Sequence, residues 1–119
     1  MIRLRQFLES LRHALRGVVI VYQNEQSFRI QVFVSIAVLF FSFYYPISHF
    51  HFLLILLLIG AVLSLEIINS VFERIIDSFK PRIHPIVRDI KDIMAGAVLI
   101  VSLIAAVIGF AIFWPFLNP

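Results

Sequence analysis

The sequence predicts an all-α integral membrane protein, with an amphipathic amino-terminal surface helix followed by three transmembrane helices. Hydropathy is the first sign: of the 119 residues 61% are hydrophobic and 14% charged, and a mean hydropathy of +1.01 is far above that of a soluble domain of this size. Length is the second. Three apolar stretches each approach the ~20 residues needed to cross a hydrocarbon core, which leaves one membrane domain over residues 1–119. Charge is the third, because all ten Lys and Arg lie at or before Arg29 or between Arg74 and Lys91, as expected where basic segments stay cytoplasmic.

Residues 1–22 are expected to form an interfacial helix. Leu4, Phe7, Leu8, Leu11, Leu15, Val18 and Tyr22 follow helical spacing and share one face, whereas Arg5, Glu9, Arg12, His13 and Arg16 lie off it. Such a helix lies in the headgroup plane with its arginines toward anionic lipid. The spread of Arg3, Arg5, Arg12 and Arg16 through an otherwise apolar start argues against a cleaved signal peptide. Gln23 to Ser27 interrupts the apolar pattern, and Asn24 is the expected N-cap of the next helix, with Glu25 in its first turn.

Residues 28–45 form the first predicted span, ended by Pro46. The link from Pro46 to His51 is short, so the second span, residues 50–73, must return antiparallel beside the first. His49 and His51 sit at headgroup level in this reading. Ser78 to Pro85 closes the second helix with two prolines and several bases. The charged segment Ile86 to Met94 then leads into the third span, residues 95–114, whose Gly96, Ala97, Ser102, Ala105, Ala106 and Gly109 permit close helix contact. Trp114 and Pro115 mark its far interface. By the distribution of bases, the amino terminus and the loop before the third span are cytoplasmic and the carboxyl terminus is not.

The second span carries the chemistry. Glu66, Asn69, Glu73 and Asp77 fall within roughly 80° of one another at about 100° per residue, forming a polar stripe that climbs about 16 Å along the helix. A carboxylate facing lipid costs on the order of 3 kcal/mol, so a stripe of them points to a protein-lined site. Hard carboxylate oxygens suit magnesium and nearby bases suit phosphates, and phosphoryl transfer needs mainly these parts together with a carboxylate to accept a proton. Glu25, with Arg82, His84, Lys91 and Asp92 from the other cytoplasmic segments, completes the polar set. There is no Gly-rich P-loop, dinucleotide fingerprint or kinase catalytic loop, and the lack of cysteine excludes disulfides, thiolate metal sites and a cysteine nucleophile. A small non-enzymatic membrane subunit is the alternative from another class. Against it, the middles of the three spans carry no ionisable group, as a conduction path would require.

Glu66-x-x-Asn69-Ser70-x-x-Glu73-x-x-x-Asp77, followed by His84-Pro85, Lys91-Asp92 and Ala95-Gly96-Ala97-Val98, resembles the signature of the prokaryotic diacylglycerol kinase family of small three-span lipid kinases. Gly17 and Asn24-Glu25-x-x-Phe28-Arg29 extend the resemblance over nearly the whole chain. It implies a homotrimer at the plasma membrane that uses ATP as co-substrate and Mg2+ as cofactor to phosphorylate a membrane lipid alcohol, with no nucleic-acid partner. By the same resemblance Glu66 is the catalytic carboxylate and Glu25 and Glu73 are the magnesium ligands. The nucleotide-binding set is Glu25, Asn69, Glu73, Asp77, His84, Lys91 and Asp92. Ser70, Val71-Phe72 and His13 depart from the commoner family residues, and none of these changes removes a charged group. Leu58-Ile59-Gly60 and Ile108-Gly109 ahead of Trp114-Pro115 are more similar to the Gram-positive branch, which phosphorylates undecaprenol. Undecaprenol is therefore the expected acceptor in preference to diacylglycerol.

Overall fold

The computed structural model describes residues 3–78 and 85–119. These form four helices, α1 (Leu4–Asn24), α2 (Gln26–Tyr44), α3 (His49–Ser78) and α4 (Pro85–Leu117). By length and composition α2, α3 and α4 can each cross a membrane. The expected spans 28–45, 50–73 and 95–114 lie almost wholly within them, and α3 continues unbroken past residue 73 so that Arg74 and Asp77 stay on the helix. Pro85 begins α4, where a fixed φ and a missing N–H are harmless.

The α1–α2 corner differs from expectation. Asn24 is the last residue of α1, not the cap of α2, and its Nδ2 donates to the carbonyl of Ile20 over 2.7 Å. Engaged in that backward bond, its side chain serves the end of α1. Glu25 occupies the cap position instead, in extended conformation (φ −115°, ψ 110°), and makes no side-chain capping bond, which leaves its carboxylate free for tertiary contact. Arg29 secures the corner by donating from Nη1 to the carbonyls of Tyr22 and Gln23, at 2.7 and 3.0 Å, where α1 has run out of intrahelical partners.

At the opposite end Ser48 caps α3 by accepting the backbone N–H of His51 over 3.1 Å. The turn is so short that α2 and α3 descend as antiparallel neighbours, with Phe43 against Phe52 near the turn and Ser27 against Glu66 at the far end. Tyr45 joins this end to α4 through rings at 5.4 Å from Phe116 and 6.3 Å from Phe113. Within α2 the hydroxyls of Ser35 and Ser42 donate to the carbonyls one turn back, so neither polar group is stranded in the apolar bundle.

Both α2 and α4 pack on α3, and the contact of α3 with α4 is the more extensive. The core is thin: Val21, Phe28, Ile55, Val62 and Ile112 are its buried apolar residues among those described. Most other large apolar side chains of α2, α3 and α4 point outward, the pattern of helices whose solvent is lipid. The apolar face of α1 (Leu4, Phe7, Leu8, Leu11, Leu15, Val18 and Tyr22) is likewise left uncovered by the rest of the chain.

Candidate active site

The polar residues gather at the basic end of the bundle, where the α1–α2 corner meets α3 and the start of α4. Along α3 the stripe changes from closed to open in helical order. Glu66 is only 5% exposed, Asn69 and Glu73 are half-buried, and Asp77 is exposed. A carboxylate as enclosed as Glu66 needs partners. Ser27, on the first turn of α2, donates its hydroxyl to Oε2 of Glu66 over 3.0 Å. Among the described residues Oε1 accepts no hydrogen bond.

A pair of carboxylates, Glu25 and Glu73, spans two elements. Glu25 reaches from the corner to α3, where its Oε1 accepts the hydroxyl of Ser70 over 3.2 Å, and Ser70 is fully buried. Glu73 lies one turn beyond Ser70, accepts Nδ2 of Asn69 at 3.3 Å, and stands close enough to Glu25 for the two to repel. Like charges held together on a rigid frame suit a cation. Among the described residues no group of three or more His, Asp or Glu could hold a metal ion alone. The donor set nevertheless fits magnesium, which uses one or two carboxylates and completes its shell with water and phosphate oxygens.

Further out, Lys91 of α4 donates from Nζ to Oδ1 of Asp77 over 2.8 Å. That pair brings the base of α4 beside the acidic stripe, as the sequence suggested. Asp92 is exposed, and no described contact joins it to Glu25, Glu66, Glu73 or Asp77. His84 and Arg82 lie outside the described residues.

Sequence reasoning missed the two serines as partners of the carboxylates. Ser70 was legible as part of the stripe, since it stands four positions from Glu66 and three from Glu73. Ser27 was legible only through register. With equal rise in both helices, counting about twenty residues each way from the turn after Tyr45 pairs Ser27 with Glu66.

Below the carboxylates a groove of about 260 Å³ opens between α2, α3 and α4. Its upper rim is Gln31 and Val62, each one turn deeper than Ser27 and Glu66 respectively. Val34, Val38, Ile55, Leu58 and Ile59 form apolar walls, and Ser102, Ala105, Ala106 and Gly109 keep the α4 side shallow. The hydroxyl of Ser102 is buried there without a partner among the described residues.

Residues 12–113 match the model of the family described as prokaryotic diacylglycerol kinase. The chain is 35% identical over 112 residues to undecaprenol kinase of Bacillus subtilis (strain 168), covering 94% of this chain and 91% of the relative. It is also 28% identical over 109 residues to diacylglycerol kinase of Synechocystis sp., covering 91% of this chain and 62% of that relative.

Proposed function

The chain belongs to the prokaryotic diacylglycerol kinase family, and from that premise we propose that it transfers the γ-phosphate of ATP to the hydroxyl of undecaprenol at the cytoplasmic face of the membrane. One observation carries the reading: a nearly buried carboxylate, Glu66, sits directly above a groove with apolar walls and beside a second cluster of carboxylates. That juxtaposition favours an amphiphile. Its hydroxyl can reach Glu66 while its hydrocarbon enters the groove one turn deeper.

In the proposed mechanism the acceptor oxygen attacks the γ-phosphorus, the bond to the bridging oxygen of ADP breaks, and the hydroxyl proton passes to Glu66. Oε1 of Glu66 receives the proton, because Oε2 is engaged by Ser27. Glu25 and Glu73 are the residues that would hold Mg2+, which supplies neutralisation of the phosphate charge when bound. Lys91, kept beside the stripe by Asp77, would contact the nucleotide phosphates. Asn69 orients Glu73 through their hydrogen bond. Asp92 and His84 complete the proposed nucleotide contacts, and a homotrimer is the proposed assembly.

Undecaprenol is favoured over diacylglycerol by the relative named undecaprenol kinase, which is matched at higher identity and over more of its length than the one named diacylglycerol kinase. The test uses purified protein in mixed micelles containing both lipids, with labelled ATP and magnesium. Undecaprenyl phosphate in clear excess is the expected product. An excess of phosphatidic acid would reverse the lipid assignment, and no transfer to either lipid would sink the kinase reading.

A further inference from the structure

Ser27 lies outside the nucleotide and magnesium sets proposed above, yet its hydroxyl is the hydrogen-bond partner of Glu66. We propose that Ser27 is a positioning residue for the transfer, pinning Oε2 so that Oε1 is presented to the acceptor hydroxyl. The proposal rests on the reading of Glu66 as proton acceptor.

Four observations carry it. Glu66 has three rotatable side-chain bonds in a nearly closed site, so without an anchor its carboxylate could occupy several rotamers, and a general base works only within hydrogen-bond reach of the proton it takes. Ser70, one turn along α3, cannot supply the anchor because it donates to Glu25. Ser27 is itself on an exposed turn, and Glu25, not Ser27, occupies the cap position of α2, so neither core packing nor capping explains its hydroxyl. The antiparallel register of α2 and α3 brings Ser27 level with Glu66, which lets so short a side chain reach across.

The experiment compares Ser27→Ala, Ser27→Thr and Ser27→Val with the unaltered full chain in micelles, measuring kcat, KM for ATP and for the lipid, and the thermal unfolding midpoint. Ser27→Ala is expected to lower kcat on the order of tenfold to a hundredfold, the cost of misplacing a reacting group by about an ångström. KM for ATP and the unfolding midpoint should not move. Thr restores the hydroxyl and has room for its methyl at an exposed position, so it should recover most of the rate. Val, of the same shape without the hydroxyl, should not. Equal rates for Thr and Val overturn the proposal even if Ser27→Ala fails to fold, as does an unchanged kcat in Ser27→Ala. Glu66→Gln in the same assay separates the two levels. If it is inactive while Ser27→Ala is unaffected, only the positioning role fails, and if it keeps its rate, the role of Glu66 falls and the proposal with it.

Discussion

The hydroxyl of Ser70 donates to Oε1 of Glu25 over 3.2 Å, joining residues 45 positions apart. The bond ties the α1–α2 corner to the face of α3 that carries Glu66 and Glu73, so that two carboxylates from different elements meet at one place. Groups that orient metal ligands typically contribute 10–100-fold in metal affinity. Ser70→Ala should therefore weaken Mn2+ binding by about tenfold in an electron paramagnetic resonance titration with a nucleotide present. Unaltered affinity would show that Glu25 needs no such support.

Glu66→Gln should reduce turnover by roughly 10²–10⁴-fold, since Gln keeps the shape and the bond from Ser27 but cannot accept a proton. ATP binding, followed with a fluorescent nucleotide, should be retained. A variant with most of its rate would remove Glu66 from the proposed chemistry.

Glu25→Gln and Glu73→Gln should behave differently. Each deletes one anionic oxygen donor of a two-carboxylate set, so the magnesium concentration for half-maximal rate should rise, and excess magnesium should restore part of the activity. A loss that no magnesium concentration relieves would place these residues in another role.

Lys91 and Asp77 form an exposed pair, so breaking it should leave stability nearly unchanged. The consequence should appear in nucleotide binding. Lys91→Ala is expected to raise KM for ATP by about tenfold or more, because it removes a charge-assisted contact to the phosphates. Unfolding midpoints and KM values for Lys91→Ala, Asp77→Asn and the double variant would reveal the opposite pattern if the pair were structural.

Ala105→Leu introduces three further carbons on the α4 side of the groove below Glu66. It should raise KM for a long-chain lipid alcohol while leaving KM for ATP unchanged. An unaltered lipid KM would mean that the hydrocarbon lies elsewhere.

Sequence alone determined the class of this protein and the alignment of its acidic residues. Three apolar stretches and the confinement of Lys and Arg to two segments mark three helices able to span a membrane, because neither unpaired backbone nor unpaired charge is tolerated in hydrocarbon. The 3.6-residue repeat alone aligned Glu66, Asn69, Glu73 and Asp77, since residues on one regular helix have fixed relative directions. Tertiary structure decided what meets this stripe. Glu25 lay in a polar break that read as an ordinary helix start, and its place opposite Glu73 depends on the extended corner, the Arg29 bonds and the buried Ser70. The Ser27 bond and the groove depend on the register and spacing of α2, α3 and α4. Helical periodicity acts between neighbours along the chain, whereas these features arise between helices, where the turn after Tyr45 sets the register in which the faces meet.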